Sequence, residues 1–160
     1  MVPIRELAET WASLYSNSVA IRSAVSFAHF GGMITGGGTA IAADLNMLAV
    51  LRHAHAAPEA EVGRFRNTHL LVISSLVVVV VSGILLMLKD LDAMLESRPF
   101  WIKMGLFVAL LLNGVLVVRA EKQASEGEPG ARTLLRFACL ASLTLWLAVT
   151  LAGTVVPNAM

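Results

Sequence analysis

Four apolar stretches, each about as long as a lipid bilayer is thick, occupy most of this 160-residue chain. They predict membrane-spanning helices over about 22–51, 69–89, 100–119 and 133–156, because the hydrocarbon core of a bilayer needs about 20 apolar residues per helix. The composition agrees: 57% of the residues are hydrophobic and 14% are charged, whereas an average soluble domain is roughly 45 to 50% apolar. We therefore expect an integral membrane protein that is surrounded by the lipid bilayer.

The connections between the apolar stretches are short, which favours antiparallel neighbours in an all-α, up-down four-helix bundle over 18–160. A separate amphipathic helix is predicted over 1–17, because Leu7, Trp11 and Tyr15 recur at helical spacing while charged residues occupy the other face. This helix is expected to lie flat at the membrane interface, with Trp11 and Tyr15 as anchors, or to pack on another subunit.

The charges bear on orientation and on partners. The face that carries the first and third connections has seven Lys and Arg residues and the opposite face has five. The positive-inside rule then predicts that the first face is cytoplasmic and that both termini are periplasmic in a bacterial inner membrane.

A formal net charge of +1 provides no field that would attract nucleic acid. Cys139 is the single cysteine, which excludes an internal disulfide and a covalently attached haem c.

A histidine within the first apolar stretch is the strongest candidate for a functional residue. His29 lies in the segment FAHFGGMITGGGTA, and ionisable groups inside a bilayer are costly enough to suggest a function. A neutral imidazole is an axial ligand for haem iron and a common copper ligand. Gly32 and Gly36 would let a flat macrocycle approach the backbone, so they are candidate cofactor contacts. The same small-residue spacing also serves close helix packing, in which case His29 would only hydrogen-bond a neighbouring helix.

Two methionines share the predicted depth of His29. Met104 and Met87 are candidates for a second axial ligand, because a thioether sulfur completes His/Met haem sites, although methionines also fill gaps between apolar helices. Copper is the alternative metal, with His29, Met33 and Met87 as soft ligands for copper(I). Lys103 opens the third apolar stretch, and it is either a cofactor contact or a side chain that extends to the headgroups.

Asp44 and His69 are predicted to lie together near the opposite face of the membrane. His69 would ligate a second haem, or it would donate a hydrogen bond to Asp44 in a proton-relay or quinone site. Nearly a membrane thickness is expected between His29 and His69, so they are not two ligands of one haem. The first connection adds two histidines, interpreted as solvated, and two arginines, interpreted as candidate propionate ligands: His53, His55, Arg64 and Arg66.

Several short motifs together resemble a known group of proteins. Besides the histidine and its glycine-rich continuation, they are Asp44–Leu45, Ser82–Gly83 and the run Phe100 to Lys103. Over about 20–120 the chain resembles four-helix bacterial membrane proteins that are similar in layout to the copper-resistance CopD-type membrane domains and to the HemJ-type protoporphyrinogen oxidases, which bind haem b. The resemblance implies that His29 is a haem ligand and that Lys103 is the basic residue at the mouth of the third span. HemJ-type chains carry Trp and Arg where this chain has Gly31–Gly32, so the resemblance implies haem binding without porphyrinogen oxidation.

Three functions from different classes remain open. The first is a haem b protein that moves electrons, with quinone or a larger redox complex as its partner. The second is a cofactor-free accessory subunit that packs in a larger membrane complex or a homo-oligomer. The third is copper handling. Sequence motifs of nucleotide-binding proteins and of zinc proteases, such as the Walker loop and His-Glu-x-x-His, are absent from the chain.

Overall fold

The computed structural model of the chain describes residues 4–53 and 66–158. Within these residues it contains six helices and no strand, which confirms the prediction of an all-helical chain. The helices are α1 (Ile4–Asn17), α2 (Val19–His53), α3 (Arg66–Leu88), α4 (Leu91–Glu96), α5 (Arg98–Ser125) and α6 (Ala131–Asn158). Short turns separate α3 from α4 and α5 from α6.

Four of the six helices are long and apolar enough to cross a membrane. The qualifying segments are Val19–Arg52, Thr68–Leu88, Arg98–Ser125 and Ala131–Val156. Large apolar side chains on these helices point away from the rest of the chain; for example, Phe27 is 79% exposed and Ile34 is 75% exposed. Such an apolar exterior is unusual for a protein surrounded by water and is the natural surface of a protein surrounded by lipid.

The helix α2 lies between two neighbours. It packs against α3 on one side and against α6 on the other, while α5 packs against α6. The helices α2 and α3 are antiparallel, because Gly32 lies against Val79 and Gly36, later in α2, lies against Ser75, which comes earlier in α3. The helices α5 and α6 are also antiparallel: Lys103 lies beside Gly153, and farther along α5 Asn113 donates a hydrogen bond to the Ala138 carbonyl of α6, at 3.0 Å.

Glycines let α2 approach both neighbours closely. A Cβ atom built on Gly36 would lie 2.8 Å from the Ser75 Cβ, and one on Gly37 would lie 3.0 Å from the Trp146 Cε3. A Cβ on Gly32 would lie 2.9 Å from a methyl group of Val79. The candidate cofactor contacts Gly32 and Gly36 therefore face α3 and let the two helices pack closely.

The amphipathic helix α1 packs on its own chain. The Trp11 indole donates a hydrogen bond to the Leu85 carbonyl at 2.8 Å, near the end of α3. The Lys89 ammonium lies 5.8 Å from the centre of the Tyr15 ring. Both residues expected to anchor the helix in the interface thus contact the α3 end of the bundle. The sequence indicates the membrane interface or another subunit as the place of α1 and does not indicate this contact with α3.

The short helix α4 was not predicted, because its segment was interpreted as a connection. Its Met94 is buried against Phe100 of α5 and Val156 of α6. Met87 and Met104 pack against the same cluster. This end of the bundle is therefore closed by apolar side chains from four helices.

Candidate functional site

His29 is held at one end of the α2–α3 contact. Its residue surface is only 6% exposed, and its Nδ1 atom lies 3.2 Å from the Val79 carbonyl oxygen and 3.1 Å from the Ser82 hydroxyl oxygen. A carbonyl oxygen only accepts hydrogen bonds, so Nδ1 carries the proton and donates it. The Ser82 hydroxyl donates to the Val78 carbonyl at 2.6 Å, which leaves its oxygen free to accept from His29. In the neutral ring the lone pair therefore belongs to Nε2.

The surroundings of His29 leave its Nε2 without a hydrogen-bond partner in the part of the chain that the structure describes. Gly83 gives the ring room, since a Cβ there would lie 3.3 Å from the His29 Cε1. The Ser82–Gly83 pair thus has two distinct roles, one hydrogen-bonding and one steric. Lys103 lies within electrostatic range of His29. The ammonium of this half-buried lysine sits beside Gly153 of α6, 3.6 Å from where a Cβ on that glycine would be.

The methionines proposed as second ligands have a packing role in the structure. Met87 and Met104 both lie against the apolar cluster that closes the α4 end of the bundle. Gap filling of this kind is the usual role of methionine between helices. Among the described residues no group of three or more His, Cys, Asp and Glu side chains has the arrangement of a metal site. Packing accounts for the positions of Met87 and Met104 but not for that of His29, which remains the ligand candidate.

A second polar cluster joins α3 to α5. The His69 Nε2 lies 2.7 Å from the Glu121 Oε2, with the His69 side chain 31% exposed and the Glu121 side chain 12% exposed. The Nε2 atom of His69 is therefore bonded to Glu121 and not to Asp44, the partner that one sequence-based alternative gave it. Glu121 was missed because the third apolar stretch ends two residues before it, whereas the helix continues to Ser125.

Asp44 belongs to the same cluster but is buried more deeply. Its surface is 6% exposed, and the Ser142 hydroxyl and the Cys139 thiol of α6 lie beside its carboxyl group. The Oδ2 atom is buried and has no hydrogen-bond partner among the described residues. His69 and Glu121 are both within electrostatic range. Asp44 and His69 thus interact electrostatically, and Cys139 is a further neighbour of Asp44 that the sequence did not suggest.

The two clusters are distinct sites. His29 contacts α3 at Val79 and Ser82, ten to thirteen residues after His69, which is roughly 15–20 Å at 1.5 Å per residue. This separation is shorter than the membrane thickness expected from the sequence, but it still prevents the two histidines from ligating one haem. Four candidates from the first connection lie outside the description, two as whole residues and two as side chains: His55, Arg64, His53 and Arg66.

Comparisons of the chain with protein-family models, with curated proteins and with solved structures found no match. The helical fold with its four long apolar helices and the two polar clusters is therefore the basis for a functional conclusion.

The His69–Glu121 pair gives the first testable prediction. Replacing Glu121 with alanine should lower the free energy of unfolding by about 1–3 kcal/mol, because a half-buried imidazole loses its charge-assisted partner. In a double-mutant cycle with His69→Ala the two losses should not add, and the coupling should be about 0.5–2 kcal/mol. The measurement is unfolding of the detergent-solubilised chain.

An exposed pair at the C-terminal end of the same helix is the matched control. Lys122 and Glu126 lie 3.9 Å apart with side chains 77% and 53% exposed, so Lys122→Ala should change stability by less than about 0.5 kcal/mol. Additive losses for His69 and Glu121 would show that the 2.7 Å contact contributes nothing to holding α3 against α5.

Proposed function

We propose that this chain is an integral protein of a bacterial inner membrane, folded as an up-down bundle with both termini on the periplasmic side. Its four long apolar helices and their exposed apolar side chains support insertion. The reversed order of contacts between neighbouring helices supports the up-down topology. The excess of Lys and Arg on the face of the first and third connections supports the orientation.

We further propose that the protein binds haem b through His29 and takes part in electron transfer, with quinone or a larger redox complex as its partner. One observation carries this proposal: the Nδ1 proton of His29 is committed to the Val79 carbonyl, and the Nε2 lone pair has no partner among the described residues. Ligating histidines characteristically donate their other ring N–H to a carbonyl or carboxylate, which fixes the tautomer and the ring orientation.

Each residue around His29 has a definite part in this proposal. Val79 and Ser82 hold the imidazole, and Gly83 gives it space. Lys103 supplies a positive charge that acts electrostatically on the ring, which would suit the acidic substituents of a haem. The bound group would supply one-electron redox chemistry. His29 would hold the group, and the apolar helices around it would influence its reduction potential.

A cofactor-free accessory subunit is the second candidate, and the glycine contacts favour it. Gly32, Gly36 and Gly37 are all used in packing α2 against α3 and α6. Under this proposal the hydrogen bonds of His29 simply tie α2 to α3, and the exposed apolar surface receives other membrane subunits.

Visible spectroscopy separates these candidates. The full chain, purified in mild detergent, should show a Soret band and, after reduction with dithionite, sharp α and β bands. Copper is assayed on the same sample, because copper handling is the third possibility and would leave the visible haem bands absent. A spectrum without haem bands and a negative copper assay would overturn the haem proposal and favour the accessory subunit.

A further inference from the structure

The cluster at Asp44 carries an inference that does not depend on haem binding. Asp44 is more than nine-tenths buried inside a membrane-spanning helix, and one of its carboxyl oxygens has no hydrogen-bond partner among the described residues. The side chains beside it, Ser142 and Cys139, are a hydroxyl and a thiol. Neither provides a positive charge. Both are hydrogen-bond partners of the carboxyl group, but an ionised carboxylate this deeply buried is still costly, and a proton, a cation or a paired base would remove that cost.

The titratable groups that face Asp44 are His69 from α3, Glu121 from α5 and Cys139 from α6. His69 already contacts Glu121 at 2.7 Å. One imidazolium neutralises one carboxylate, so the pair has no positive charge left over for Asp44. The described residues also offer no group of three or more acidic, histidine or cysteine ligands that would hold a metal ion. A proton is therefore the simplest partner for the Asp44 carboxylate.

We propose that Asp44 is a proton-binding site in the membrane and that it exchanges its proton with the His69–Glu121 pair. The proton leaves the Asp44 carboxyl and is taken up by the Glu121 carboxylate, whose imidazolium partner His69 exchanges protons with the surroundings, so one proton moves and no electron does. Burial increases in steps along this route. The side chain of His69 is 31% exposed, that of Glu121 is 12% exposed and the whole Asp44 residue is 6% exposed. His69 is the point of contact with the surroundings.

A hydrophobic carbodiimide tests for the bound proton. A protonated carboxyl group adds across one C=N bond of the reagent: its proton goes to nitrogen, its oxygen bonds to the central carbon, and an acyl shift then gives a stable N-acylurea with no leaving group. The full chain in lipid vesicles is treated with dicyclohexylcarbodiimide at neutral pH, and the modified residue is located by mass spectrometry. Asp44 should carry the adduct. It should remain modified in Glu121→Gln, and Asp44→Asn should carry no adduct at that position.

Two further arms make the result decisive. Replacing sodium with choline should leave the labelling unchanged; protection of Asp44 by sodium would overturn the proposal in favour of a cation site. Infrared spectroscopy of the unmodified chain should show the carbonyl stretch of a protonated carboxylic acid, and this band should be missing in Asp44→Asn. If the wild-type chain lacks the band, the proposal is wrong whatever the labelling shows, since this measurement needs no access for a reagent.

The exchange route has its own readout. On transfer to D₂O the acid band should shift as the proton is replaced, and His69→Phe should slow this shift by at least about tenfold, because a positioned imidazole accelerates proton transfer by roughly two to four orders of magnitude. His29→Phe is the matched control at the other cluster and should leave the rate unchanged. An equal rate in the wild type and in His69→Phe would overturn the exchange route. Spectra without haem bands would leave this proposal intact, and a missing acid band would leave the haem proposal intact.

Discussion

Replacing His29 with alanine should abolish the haem spectrum of the purified protein while the chain still inserts into the membrane. The imidazole offers the only Nε2 lone pair in that cluster, and its Nδ1 proton is committed to the Val79 carbonyl at 3.2 Å. Alanine provides no donor atom, so haem content per chain should fall from near stoichiometric to the background of a membrane preparation. The measurement is the reduced-minus-oxidised difference spectrum, normalised to protein.

The neighbouring Ser82 provides a matched control. Ser82→Ala removes the hydroxyl oxygen that lies 3.1 Å from the His29 Nδ1 but keeps the Val79 carbonyl and the Nε2 lone pair. Haem should therefore stay bound with a shifted reduction potential, because groups that hydrogen-bond a ligand tune the metal. His69→Ala should leave the spectrum intact, since His69 lies roughly 15–20 Å away along α3.

Structural damage and ligand loss are distinguishable in this series. His29→Ala also removes a buried hydrogen bond, so the variant is checked for insertion and for its elution profile in detergent. Added imidazole should restore part of the spectrum if the ring acts as a ligand, because a free imidazole can occupy the space that alanine leaves. Haem content that is unchanged in His29→Ala would show that His29 serves only to join α2 to α3.

The long apolar stretches made the four major helices predictable, because hydropathy depends on composition over a window and tolerates errors of a few residues. The polar segments that extend these helices were harder to predict from the sequence. The third stretch loses its apolar character near Val118, yet α5 continues to Ser125 through good helix formers such as Lys122. The extension matters because it places Glu121 on the helix, opposite His69.

The position of a residue along its predicted span indicates which residues of other helices lie at the same height. Which of these residues contact one another depends on how each helix is rotated about its own axis. Asp44 and His69 share a height and interact electrostatically, but His69 points its Nε2 to Glu121. Met87 was placed near the height of His29, and its side chain lies in the apolar cluster at the α4 end. The hydrophobic pattern fixes rotation weakly for a helix that is apolar on all sides, as α3 is.

The hydrogen-bond partners of the polar residues inside the bundle also could not be predicted from their positions in the sequence alone. Asn113 and Ser82 make interhelical hydrogen bonds, to the Ala138 carbonyl and to His29 respectively. Ser74 and Thr144 instead donate to carbonyls three and four residues earlier in their own helices. A hydroxyl can satisfy itself within its own helix, whereas an asparagine side chain reaches across, so residue type is a better guide than position alone.

Glycines with the same sequence context should respond in opposite ways to substitution, which tests the packing of α2. Gly36 and Gly38 are two residues apart on one helix, yet a Cβ on Gly36 would lie 2.8 Å from the Ser75 Cβ, and a Cβ on Gly38 would have no atom within 4 Å. Replacing glycine with alanine in a helix gains about 1 kcal/mol in helix propensity. At Gly36 this gain is opposed by an overpacking cost of about 1–3 kcal/mol.

Gly38→Ala should therefore raise the thermal stability of the detergent-solubilised chain, while Gly36→Ala should lower it, with a difference between the two of about 1–3 kcal/mol. The clash at Gly36 is with the Cβ of a serine, so the double variant Gly36→Ala/Ser75→Gly should recover stability relative to Gly36→Ala alone. Equal stability changes at the two glycines would show that α2 and α3 are not held at this distance. In the double variant a Cβ is added at position 36 and removed at position 75. Recovery of stability would therefore locate the close approach at the Gly36–Ser75 contact, one turn of α3 from the Val79 carbonyl that holds His29.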